Sequence, residues 1–216
     1  MRARSKRDGP ATRERLITAA LELFMTSGFL RTTTPMLAER AGVAEGTIYR
    51  HFKSKEALLN EVFSRAHRWA FEAVSAIDRD RTRRAPDRLA MLARQLVELA
   101  TRDPGLAAML LSTGNEPFLT DASRGARRAF MEALAQLVAM GKSDGQIRAG
   151  PAELWAQIWL AIVSVAIRRI ATGEWVPDSA PATLTLEAAR DAIAIGPASL
   201  RGPESPSEDG QTPRMA

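Results

Sequence analysis

The sequence predicts an all-α protein, a compact N-terminal unit of three helices followed by a larger helical unit. Three observations predict it. Apolar residues recur at helical spacing along most of the chain. Alternating β-branched residues are nearly absent, while Leu, Ala, Arg and Glu dominate. Pro86, Pro104 and Pro151 fall where first-turn prolines belong, and Gly141, Gly145, Gly150 and Gly173 fall where helices stop.

Each element has a local reason. The first helix is expected from about Ala11 to Ser27, with Leu16, Ala20, Leu23 and Phe24 on its inner face. Gly28 suits a left-handed cap, after which Phe29 can fold back onto the last turn. A short helix follows at about Thr34 to Ala41, with Thr33 or Thr34 as N-cap and Pro35 in its first turn. Gly42 sits where a tight turn needs a positive φ. Another short helix, about Ala44 to Phe52, carries Ile48 and Phe52 as anchors one turn apart. Ser54 caps a long helix from Lys55 to about Ile77. Beyond the charged connector at 78–85, helices are expected at about 86–102, 104–112, 121–142, 151–172 and 183–195. The Pro- and Gly-rich stretch 196–216 reads as a disordered tail.

Composition narrows the function. The chain has 216 residues, 45% hydrophobic and 25% charged, which excludes collagen-like and wholly disordered classes. Cys is absent, so disulfides, thiolate nucleophiles and zinc or iron–sulfur sites that need thiolate ligands are excluded. The apolar run through Trp159 to Ile167 contains Ser164 and stops at Arg168, far short of a bilayer's demand, so no membrane span is expected. The basic N-terminus lacks an apolar stretch behind it, so no secretory signal is expected either, and the location should be cytoplasmic. Residues 1–60 carry eleven Lys/Arg against six Asp/Glu, a net of +5, while 61–216 carry nineteen of each. The whole positive excess sits in the first quarter, which suits either a polyanion-binding module or a solvated basic face.

The segment from Thr32 to Leu59 holds two short helices joined by a Gly turn, the layout of a helix-turn-helix, although such pairs also occur as packing units. Its residues narrow the choice. The run Leu-Ala…Ala-Gly-Val…Gly-Thr-Ile-Tyr-Arg-His-Phe-Lys-Ser-Lys-Glu-Ala-Leu-Leu, with the earlier Ala-Ala-Leu-Glu-Leu-Phe…Gly-Phe, closely resembles the DNA-binding domain of TetR-family transcriptional regulators. The resemblance covers about residues 11–60. It implies that Thr47, Tyr49, His51 and Lys55 contact phosphates or nearby bases. Thr33 and Thr34, at a helix N-terminus, can hold a phosphate. Base reading would fall to Glu45, Gly46, Thr47 and Arg50. Two positions depart from the family pattern. Ala44 replaces the usual Ser cap, weakening it by up to ~1 kcal/mol, and Pro35 stands where some members read a base. Arg2, Arg4, Lys6 and Arg7, in a flexible basic arm over 1–10, are either a DNA-reaching arm or a solubilising tail.

For residues 61–195 the resemblance implies a helical domain that dimerises and often holds a small effector. The helix at 151–172 is apolar around nearly its whole circumference and so must be buried on more than one side. Ile158, Ile162 and Val165, with Leu186, Ala189 and Ile193 of the last helix, are the expected dimer face; a central helix in a monomer is the other reading. Met91, Met109, Phe118, Phe130, Met131, Trp155 and Trp159 either line an apolar pocket or form plain core. The arginines at 81–84 and 124–128 read as solvated faces. With two His in the chain, no metal triad, no Gly-x-Ser-x-Gly and no phosphate loop, neither an enzyme nor a cofactor or metal is expected. The expected function is a homodimeric regulator on a palindromic operator in double-stranded DNA, a repressor released by a small, largely apolar ligand. The alternative is a DNA-binding regulator or helical adaptor controlled by a protein partner.

Overall fold

The structure is a computed structural model that describes residues 9–195. Among them are nine α-helices: α1 Gly9–Thr26, α2 Thr34–Ala41, α3 Glu45–His51, α4 Lys55–Asp78, α5 Ala85–Arg102, α6 Pro104–Leu110, α7 Asp121–Ser143, α8 Ala152–Ala171 and α9 Ala180–Ile193. A 3₁₀ turn, Glu116–Phe118, links α6 to α7. The expected all-α class is what the described residues adopt. The tail at 196–216 and the arm lie outside the described residues, except Gly9 and Pro10, which begin α1.

The local signals act as expected in the first unit. The Thr33 side chain accepts from Met36 N and caps α2, and the Ser54 hydroxyl accepts from Ala57 N at 3.2 Å and caps α4. Gly28 and Gly42 take left-handed φ values of 79° and 63°. Phe29 folds back edge-on against Phe24, ring centroids 5.4 Å apart. Ion pairs then tie the helices together: Arg40 to Glu22, Arg13 to Glu61 at 2.8 Å and Arg65 to Glu14 at 2.6 Å.

Elsewhere the helix ends shift for identifiable reasons. Gly141 is not a stop. It lies inside α7, where an added Cβ would come within 2.5 Å of Ala85 Cβ and 2.7 Å of Ile147 Cδ1. The residue is small because the start of α5 presses on it; Gly145, at φ 67°, is the stop. Pro151 is the N-cap of α8 rather than a first-turn residue, and α9 starts at Ala180, where Pro181 occupies the first turn.

In the body, α4 packs along α7, and α8 lies against α5, α7 and α9. One continuous apolar core joins both units, from Leu16 and Ile48 to Leu92, Leu134 and Val163. Helix α8 also corrects an expectation. Its 20 residues are long and apolar enough, by length and composition, to cross a bilayer. No uninterrupted apolar run in it reaches that length, because Glu153, Gln157 and Ser164 interrupt it. In the fold, Ala156, Trp159, Val163, Ala166, Ile167 and Ile170 of this helix are buried in the core, which accounts for its composition.

Candidate nucleic-acid interface and effector cavity

Helix α3 is anchored on one side and bare on the other. Ile48 and Phe52 are buried, and Arg13 lies over the Phe52 ring at 5.1 Å. The opposite side presents Glu45, Gly46, Tyr49 and Arg50 to solvent, Tyr49 at 55% exposure. Thr47 and His51 flank them half-buried, and Arg50 Nη2 donates to Thr47 Oγ1 at 3.2 Å. Thr33 is exposed and Thr34 half-buried at the start of α2. Ala44 makes no side-chain cap bond, as its methyl group requires.

Lys55, expected to contact a phosphate, is also engaged inside the protein. Its Nζ donates to Phe29 O at 2.9 Å and Thr32 O at 2.8 Å, and sits 4.3 Å above the Phe29 ring. Two of its three donors are spent holding the turn before α2. Thr32, which the sequence reading passed over, is fully buried and braces the same turn by donating to Gly28 O at 2.8 Å.

A polar joint fastens this unit to the body. Asn60 Nδ2 donates to Glu56 O and Phe118 O, both at 2.8 Å. Its Oδ1 accepts from Thr120 N and Ser123 Oγ, both at 2.7 Å. Ser123 Oγ also lies 3.0 Å from Ser64 Oγ, in the buried α4–α7 contact. Beside the joint, the Phe118 and Phe29 rings are 4.9 Å apart.

The seven bulky residues expected around a pocket do not share one cavity. Phe130 and Met131 line a cavity of about 290 Å³ between α4, α6, α7 and α8. Trp159 is buried in the core, Met91 is packed against it, and Met109 borders a separate cleft beside Phe24. Phe118 packs at a tilt against Phe29, and the Trp155 indole donates to Ala149 O at 3.0 Å. Bulk alone does not distinguish a lining residue from a core one. The cavity wall includes His67, whose place on the apolar stripe of α4 between Phe63 and Ala70 was the available signal.

His67 Nδ1 lies 2.9 Å from Phe63 O, an acceptor, so Nδ1 carries the proton and Nε2 is left as an acceptor. Burial pushes the imidazole pKa down to about 4, so the ring is neutral at pH 7. From pH 6.5 to 4 the unfolded chain takes up this proton and the folded chain resists it. Stability therefore falls as pH drops through that window, by about 3 kcal/mol at pH 4. A His67→Phe variant should lack this component. Urea melts of both proteins at pH 7 and pH 4.5 would show it; parallel acid losses would contradict it.

Helix α8 has three faces, set by about 100° of rotation per residue. Ala156, Trp159, Val163 and Ile167 face the core, and Gln157, Leu160, Ala161, Ser164 and Arg168 line the cavity. A third stripe, Leu154, Ile158, Ile162 and Val165, points outward, with Leu154 and Val165 about half exposed. On α9, Leu184 is exposed and Leu186 half-buried. Ala189 and Ile193, expected at a dimer face, are instead wholly buried in the protomer's own core, because they fall on the inner stripe of α9.

Two short helices with a left-handed glycine turn, a bare recognition helix and a helical body define a helix-turn-helix DNA-binding regulator. The comparisons with known proteins identify the family. The model described as bacterial regulatory proteins, tetR family, matches residues 16–62. The chain is 31% identical over 142 residues to the nucleoid occlusion factor SlmA of Marinobacter nauticus, covering 65% of this chain and 71% of that one. Another relative, the uncharacterised regulator YvkB of Bacillus subtilis, is 42% identical over 53 residues, 24% of this chain and 28% of its own length. Among solved structures, a TetR-family regulator from Marinobacter aquaeolei VT8 shares the fold at TM-score 0.71 and 20% identity, covering 89% of this chain and 99% of that one. FadR of Bacillus subtilis, in complex with stearoyl-CoA, does so at TM-score 0.66 and 22% identity, covering 83% and 98%. The chain belongs to the tetR family of bacterial regulatory proteins.

Proposed function

We propose that the protein is a cytoplasmic homodimeric repressor that binds a palindromic operator and is released by a small, largely apolar ligand. The observation that carries the DNA half is the exposed side of α3 opposite its buried Ile48 and Phe52 anchors. In this reading Glu45, Gly46, Thr47 and Arg50 meet base edges in the major groove, and Arg50 is suited to a bidentate pair with guanine. Thr33, Thr34, Tyr49 and His51 hold phosphates, which set register. Lys55 acts mainly by fixing the turn that positions Thr33, and its third donor remains for a phosphate. Pro35 brings no donor, so α2 adds few base contacts. Two protomers joined through the outward stripes of α8 and α9 would present their α3 helices about 34–36 Å apart, one helical turn of DNA.

The ligand half rests on the 290 Å³ cavity beside α4, the helix that begins directly behind α3. A ligand that prefers a conformation with misplaced α3 helices lowers operator affinity by the ratio of its two affinities. A hundredfold release requires ~2.7 kcal/mol of such preference. The function is one of binding, with no catalytic step.

Selection from random duplexes, followed by titration of the winner, tests the DNA half. The expected product is a palindrome, and Arg50→Ala should weaken its binding roughly 10- to 100-fold while relaxing preference at one base pair in each half-site. Selection without a palindrome, or indifference to Arg50→Ala, would sink it. The 142-residue match to SlmA supports a second reading, a DNA-bound regulator that acts through a protein partner. That reading gains if no apolar ligand alters the DNA complex.

A further inference from the structure

The effector cavity is apolar inside and positively charged at its edge. Leu110, Phe130, Met131 and Leu160 supply apolar wall. Arg127 and Arg168 line the same cavity, no Asp or Glu does, and His67 is neutral there. Arg168 is exposed and has no ion-pair partner among the described residues. Arg127 is paired, at 2.8 Å, with Glu116. The arginines at 124–128 are therefore not simply a solvated face, because one of them reaches the cavity.

Glu116 heads the 3₁₀ turn that ends in Phe118, the residue whose ring lies on Phe29. The Phe29 carbonyl in turn accepts from Lys55 at the turn before α2. A contiguous set of contacts thus runs from Arg127 through Glu116, Phe118 and Phe29 to the DNA-binding unit. The Arg127–Glu116 pair is half-exposed, and such pairs hold weakly, so a competing anion can take Arg127 and leave Glu116 held by Arg124 alone.

Building on the ligand half of the proposed function, we infer that the cavity takes an apolar molecule bearing one carboxylate. Its carboxylate is held by Arg127 and Arg168, and the capture of Arg127 from Glu116 loosens the Phe118 contact with the DNA-binding unit. A planar two-oxygen head matches the guanidinium fork.

The test titrates the full-length protein with octanoate and with 1-octanol, by calorimetry and against the selected operator duplex. Octanoate should bind at least tenfold more tightly than 1-octanol, and Arg168→Gln should shrink that ratio several-fold. Octanoate should weaken operator binding, and Phe118→Ala should reduce this weakening while leaving octanoate affinity within about twofold. Equal affinity for the acid and the alcohol overturns the carboxylate assignment yet leaves an apolar effector standing. Binding of neither overturns both, with operator recognition untouched. Octanoate that binds without altering operator affinity overturns the coupling through Phe118.

Discussion

A Val165→Arg variant should remain folded, sediment as a 23.5 kDa subunit and bind the operator at least a hundredfold more weakly. Val165 is 45% exposed in the protomer, so a long charged side chain can reach water there and the core is undisturbed. In a two-fold dimer the substitution appears twice on one self-complementary surface. Each guanidinium would then be buried against Ile158, Ile162 or their copies without a counter-ion, a cost of several kcal/mol. The affinity loss follows from geometry. Two linked α3 helices bind the second half-site at a high effective concentration, and separate subunits do not. Unchanged helical circular dichroism distinguishes this result from unfolding. A dimer that persists in the variant, or wild-type protein that sediments as one subunit, would refute the outward stripe of α8 as the interface.

Legibility in the sequence followed the range of each interaction. The helix-turn-helix was readable because its signals are local: Thr33 and Ser54 as caps, Gly42 at the turn, Ile48 and Phe52 one turn apart, all within 28 residues. The structural half of Lys55's role was not legible, because sequence shows a charge but not where its tip lies, and its acceptors are carbonyls 23 and 26 residues earlier. Asn60 carried no mark at all. On a helical wheel it reads as a solvated position, and its partners lie about 60 residues away on α7 and the turn before it. The α8 helix shows the intermediate case. Its near-continuous apolar circumference announced burial, but the protomer buries one face, and assigning the others to cavity or outward stripe required knowing what packs on them.

Asn60→Ala should destabilise the protein by about 3 kcal/mol, lowering Tm by roughly 6–12 °C. The amide of Asn60 is fully engaged: both Nδ2 hydrogens are donated, and Oδ1 accepts from Thr120 N and Ser123 Oγ. Truncation leaves the part-buried Phe118 carbonyl and the buried Ser123 hydroxyl without their amide partners, and losses of this kind cost about 1–3 kcal/mol each, while the exposed Thr120 N–H turns to water. Ser123 Oγ, itself buried, falls back on the longer 3.3 Å contact with Asn60 O. Asn60→Asp is the sharper comparison. It keeps the acceptors for Thr120 and Ser123 but turns an anionic oxygen toward the carbonyls of Glu56 and Phe118, so it should destabilise the joint despite its matching shape. A loss below 1 kcal/mol in both variants would show that the joint contributes no more than exposed surface. Because the bonds to Phe118, Thr120 and Ser123 all cross from α4 to the 116–123 segment through one amide, while that to Glu56 stays within α4, the crossing network holds as a unit or opens as a unit. That all-or-none property is what a cavity-driven movement of the DNA-binding unit requires, since a continuously yielding joint would absorb a displacement instead of passing it on.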